Sequence, residues 1–443
     1  MIAGIVWSPT PRRARRFPAL PGAWAALLVL ALPGAWAALL VLALLPSGEA
    51  RADGPGVPVG ETARLHFQLE LEGRYDSLAG QGGIGANTLT PVQDPAEILL
   101  HIKPGIRLNA PGNRVDFDAN ANLDWTRYTG WLAPDSDFSY FGGSAGAGLE
   151  MGKGGPVGLK LSEAFNRSDR TTNPALGAGT ITNSNNLGAR LGFVPGGGAI
   201  EGGVGYDFGL EVYSAYRPNI PSQPPQDPSS DPTLFGGFGS QTHRFSLDAR
   251  WRFLPKTAFV LNASWALRYY DSSTVNVASK PLLIEGGLSG LITEKVRVLL
   301  RGGWAKSFSD ATAAKPDEFS GPIAQAEIGW NPTDTTGISL GVQRSVEPVS
   351  TFGWYDDWRV YASGRLALGG RVALTASGKI DRLVFANGGR ADTQASLDAA
   401  ADIEAFRLVH VVLGGVLTSR DSTASGFYVY QRTEVYLRLV ASY

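Results

Sequence analysis

RVDFDANANLDWTRY, residues 114–128, is the stretch from which the fold can be read. Val115, Phe117, Ala119, Ala121, Leu123 and Trp125 take one parity, while Arg114, Asp116, Asp118, Asn120, Asn122, Asp124 and Thr126 take the other. Side chains alternate across a strand, so these residues make a ribbon with one greasy and one ionic surface. A helix would mix the two sets around its circumference. Residues 243–253 repeat the pattern, with Phe245, Leu247, Ala249, Trp251 and Phe253 opposed to Arg244, Ser246, Asp248, Arg250 and Arg252. The next segment continues it through Phe259, Leu261, Ala263, Trp265, Leu267 and Tyr269.

Working outward with the same test predicts about 18 strands (16–18), each about 9–14 residues, the length a tilted strand needs to cross a bilayer. They run from 62–75 to 427–443, with 185–194, 320–330, 336–346 and 357–368 among them. Short connections such as 110–113, 152–156, 254–256 and 369–371 alternate with long ones such as 76–95, 214–240 and 347–356. A soluble sandwich or propeller has no reason to alternate so, whereas an outer-membrane barrel has tight periplasmic turns and longer external loops. The expected fold class is all-β: a single transmembrane antiparallel up-and-down β-barrel, wide enough for an aqueous channel. The chain is too short for a 22-stranded receptor with a plug.

Composition agrees. Among 443 residues there are 56 Gly, 11 Trp and 14 Tyr, but charged residues make up only 18%. A mean hydropathy of −0.04 is what lipid-facing and water-facing residues average to. A net charge of −1 leaves no footprint for nucleic acid. With no cysteine, disulfides, thiol catalysis, Fe–S clusters and a lipoprotein anchor are excluded.

Residues 1–52 read as a signal peptide of the Sec type, and 53–443 as the mature barrel. Arg12, Arg13, Arg15 and Arg16 precede an apolar run, and Ala50 and Ala52 flank Arg51 as an A-x-A cleavage site. The run contains ALPGAWAALLVL twice, at 19–30 and 31–42. Two copies could span a bilayer as an anchor, but Pro21, Gly22, Pro33 and Gly34 interrupt that helix.

The last strand alternates up to a terminal aromatic, Tyr443, which resembles the signal read by the barrel-assembly machinery. Closure of this strand with the first would leave no unpaired edge in lipid. With greasy faces toward lipid, the expected lumen-lining residues are Asp116, Asp118, Asp124, Asp207, Glu211, Arg250, Arg252, Arg268, Arg297, Arg301, Arg359, Arg365, Arg432, Glu434 and Arg438. They could set a field that selects solutes, or pair across strands and stabilise the wall. No polar stripe is expected on the lipid side, where Gly143, Ala145 and Ala147 could pack against a neighbour.

Chemistry finds little support. Gly142, Ser144 and Gly146 match the G-x-S-x-G nucleophile elbow, but that motif needs a strand-to-helix turn and here lies within an alternating strand. His66, His101, His243 and His410 show no metal-ligand spacing. Asp135 and Asp137 could meet Ca²⁺, though a solvated acidic pair is the simpler reading. No catalytic residue, metal or cofactor is expected, and a rim hydrolase using Ser144 and His243 is the least favoured alternative. The Pro-rich 214–240 segment is expected near the mouth.

The chain resembles the outer-membrane β-barrel porins found with exopolysaccharide gene clusters, barrels of about 18 strands. The resemblance rests on the strand–turn–strand pattern of residues 251–258, its echo at 330–335, the Tyr269-Tyr270-Asp271 strand end and the overall count. It implies a conduit through which a polysaccharide leaves the cell, with a periplasmic or inner-membrane export partner. It transfers no residue-level site. A general porin for small solutes and a structural or adhesion barrel are the alternatives.

Overall fold

The structure, a computed structural model, describes residues 56–79, 96–132, 139–169, 180–215, 239–271, 278–309, 318–349, 353–386, 390–423 and 429–443. The segment expected as a leader, with Ala50 and Ala52, lies outside them, as do Asp135, Asp137 and nearly all of 214–240.

Eighteen antiparallel strands form one closed sheet: β2 (Ala63–Asp76), β3 (Glu97–Ala110), β4 (Val115–Tyr128), β5 (Tyr140–Met151), β6 (Val157–Ser168), β7 (Thr180–Phe193), β8 (Ile200–Ala215), β9 (Ser240–Leu254), β10 (Thr257–Tyr270), β11 (Ser279–Leu291), β12 (Val296–Ser309), β13 (Ser320–Thr333), β14 (Thr336–Val349), β15 (Gly353–Leu368), β16 (Val372–Phe385), β17 (Ala391–Phe406), β18 (Val409–Ser422) and β19 (Tyr430–Ser442). Each pairs with the next, and β19 pairs with β2 through Glu434↔Asp76 to Ser442↔Gln68. A short β1 (Val57–Val59), which the parity test missed, pairs with the start of β2. Closure leaves no free edge at the seam, as a hydrocarbon setting demands.

Cross-strand partners share a face, so the register carries the inside–outside assignment around the ring. Exposed Phe67, Leu123, Leu187, Leu247, Leu340 and Leu413 lie on one parity, and the ion-paired side chains of β2, β3 and β19 on the other. The tryptophans obey the rule. Trp125, Trp265, Trp304 and Trp358 lie toward the loop ends of their strands and Trp251 and Trp330 toward the turn ends, all on the apolar parity and exposed. Two aromatic belts bounding an apolar band are what a barrel in a bilayer carries.

Turns and loops alternate as expected. At one short turn Gly369 and Gly370 both take positive φ (60° and 77°), the conformation of a type I′ hairpin turn, which side chains with a Cβ adopt at a cost. Strand ends differ from the expectation at three places. β7 starts five residues early, at Thr180, where polar Thr and Asn residues give no alternation. β13 runs through Pro332 to Thr333, with a register shift after Trp330 absorbing the proline. β14 and β15 extend to Val349 and back to Gly353, into a region expected as loop.

Candidate functional site: the lumen and its mouth

All fifteen residues expected in the lumen fall on the inward parity. Most pair across strands. Arg190 binds Asp248, Arg252 binds Glu201, Arg268 binds Glu211 and Arg432 binds Asp76. Arg297 reaches Glu327 at 3.1 Å, and Arg359 reaches Asp381 at 2.5 Å and Asp357 at 2.8 Å. Glu72, side chain fully buried, is shared by Arg74 (2.5 Å) and Arg438 (2.8 Å), and Arg74 also meets Glu434 (2.9 Å). His101 Nδ1 lies 3.0 Å from Asp124. Asp116 accepts from Lys153 in the turn below, and that hydrogen bond holds the lysine above its usual pKa. Asp118, Asp207, Arg250, Arg301 and Arg365 share the face but form no ion pair among the described residues. Acidic and basic side chains therefore interleave around the wall.

Tyrosines join this wall. Tyr436 lies under the guanidinium groups of Arg438 (5.0 Å to the ring centre) and Arg74 (5.7 Å), and Tyr361 donates to Glu327 at 2.7 Å. Both rings rest on a glycine of the neighbouring strand, Gly414 and Gly341, so close that a Cβ there would overlap them. The small residue opposite makes room for a flat aromatic against the wall.

The mouth is narrowed by a feature the sequence reading did not contain. The β13–β14 ladder stops at Ala324↔Arg344. Above that point the β14–β15 hairpin leans inward until β14 contacts β11 and β12. Val346 and Trp354, on the parity that faces lipid lower down, join an apolar cluster with Leu283, Ala305 and Ile323, which lie on the lumen parity of β11–β13. One side of the hairpin thus lies over the inner wall. Its other side, with Ser345, Glu347, Tyr355 and Asp357, faces Glu211, Tyr213 and Arg268 of β8 and β10 across a polar cavity of about 320 Å³. Both faces are covered by protein here, so the greasy–wet alternation that marks a lipid-facing strand is lost. That is why 347–356 read as loop. Farther round the same rim, at the top of β17 and β18, buried Asp392 takes Arg390 (2.6 Å), Arg420 (2.5 Å) and Ser422 (2.5 Å).

The catalytic candidates do not converge. Ser144 faces the lumen from β5, whereas His243 sits on the outer face of β9, bonded to Tyr206 at 2.9 Å. Among the described residues no group of three or more His, Asp or Glu could hold a metal ion.

A closed 18-stranded wall, an apolar outer band between aromatic belts and an ionic lumen define an outer-membrane β-barrel channel. Its family is the one described as "Putative beta-barrel porin 2", whose model matches residues 74–443. The chain belongs to that family, and its place is the bacterial outer membrane. No curated protein matches it. Solved structures share the architecture at low identity. The FrpB iron transporter of Neisseria meningitidis is 10% identical over 86% of this chain and 66% of that one, with a TM-score of 0.50. OpdO of Pseudomonas aeruginosa is 12% identical over 86% and 97%, with a TM-score of 0.47. The siderophore receptor PirA of Pseudomonas aeruginosa is 9% identical over 86% and 80%, with a TM-score of 0.43. At such identities the likeness is one of fold.

Proposed function

We propose that this porin-family barrel is a passive conduit for exopolysaccharide, without chemistry of its own. The observation that carries the reading is the lumen wall. It sets the partly exposed ring of Tyr361, resting on Gly341, beside ion pairs that leave polar edges facing water, while buried Tyr436, capped by Arg74 and Arg438, stiffens the wall. A stacking platform beside hydrogen-bonding groups suits a chain of sugar rings, and fixed charges already paired within the wall hold a neutral polymer loosely enough to let it slide. The same reading takes residues 1–52 as the leader removed in transit, Tyr443 as the residue read by the barrel-assembly machinery, and a periplasmic export protein as the partner at the turn-side rim. Deleting the gene and measuring surface polysaccharide tests it: the polymer should fall and return on complementation. Unchanged polymer would end the export reading. A general porin for small solutes is favoured by the inward charges Asp207, Arg301 and Arg365, which form no ion pair among the described residues. It expects steady conductance in planar bilayers that added polysaccharide does not block.

A further inference from the structure

We propose that the outer face of β5–β7 is where a second copy of this chain docks within the membrane. No polar stripe was expected outside the barrel, yet the register places one there. Glu163 pairs with Ala147 on one side and with exposed Leu187 on the other, so its carboxylate points toward lipid. It lies halfway along β6, and it accepts a hydrogen bond from Asn185 Nδ2 at 3.4 Å on the same face. Elsewhere among the described residues, outward ionisable side chains such as Arg127, Lys306, Arg382 and Asp421 lie toward the loop ends of their strands, at headgroup depth. Glu163 stands apart in the middle of the apolar band. Beside it β5 presents only Gly143, Ala145 and Ala147 along the same stretch, a shallow strip without bulk.

A charged side chain on the lipid face of a barrel is costly at mid-depth and cheap near the interface. Small residues flanking a polar pair are the recurrent make-up of contacts inside membranes, because backbones approach closely and the polar groups bond across. The occupant must offer a donor at the depth of Glu163. A lipid headgroup cannot, since it sits at the interface. A second copy does so by symmetry: seated at the same height, it brings its own Asn185 and Glu163 to the matching level.

The cysteine-free chain permits a direct test. Ala145→Cys, treated in intact outer membranes with a short bis-maleimide, is expected to give a product of twice the chain mass or a higher multiple. Val360→Cys, outward on β15 across the barrel, is the control and should stay single. In the Ala145→Cys background, Glu163→Leu and, separately, Asn185→Leu should each lower the cross-linked fraction severalfold while the heat-modifiable folded band persists. If Glu163→Leu impairs assembly, Asn185→Leu and the bulky Ala147→Trp carry the comparison. No cross-link from Ala145→Cys, equal cross-linking from Val360→Cys, or a product whose mass is not a multiple of the chain would overturn the proposal.

Discussion

At the scale of single residues, the wall is held by carboxylates that each serve several cations. Asp392 is the extreme case, with no exposed side-chain surface and two arginines and a serine around it. Removing one partner from a buried ionic group strands the others, typically at about 3–5 kcal/mol. Asp392→Ala is therefore expected to lower the temperature at which the folded band on a gel converts to the unfolded one. Asp392→Asn, which keeps an acceptor for Ser422, should do less harm. Equal, negligible effects of both would show that the trio carries no stability. Part of this was legible in the sequence, since parity alone put the fifteen charged residues of the expected lumen on one face. Which of them pair was not, because partners such as Asp76 and Arg432 are joined only by closure, 356 positions apart in the chain.

At the scale of elements, the informative departure is the β14–β15 hairpin. The two-residue rhythm identifies a strand only while one side meets lipid and the other water. The described parts of that segment, 347–349 and 353–356, meet protein on both sides, so their apolar and polar positions stop alternating cleanly, and the mouth constriction stayed invisible. The Pro-rich 214–240 segment, expected at the mouth, falls almost wholly outside the described residues. Because the hairpin narrows the channel, replacing residues 348–354 with Asn-Gly, a tight two-residue turn that leaves the partners Glu347 and Tyr355 facing each other, should raise single-channel conductance in planar bilayers severalfold without loss of the folded band. Unchanged conductance would mean that the tip does not stand in the path of ions.

At the scale of the whole molecule, the closed ring was readable from strand count, alternating connections and the last strand. The closure itself is visible in two main-chain hydrogen bonds joining Tyr443 and Phe67, at 2.8 and 2.9 Å. Tyr443→Ser keeps both bonds and removes the aromatic ring, so a fall in assembled barrel in the outer membrane is expected from the side chain alone. Normal assembly of Tyr443→Ser would deny the ring that role. The early end of the β13–β14 ladder also fixes a waterline. Above Ala324, alternate residues of β13 turn their main-chain groups toward a neighbour that has left. Phe319 already bonds Ser307 on the other side, so Ser320 and Pro322 are the ones facing the gap. Proline has no N–H to leave stranded, and water must serve the remaining groups. Hydrocarbon on that flank therefore stops at or below the level of Arg344, which gives the barrel a built-in draught mark for how deep it rides.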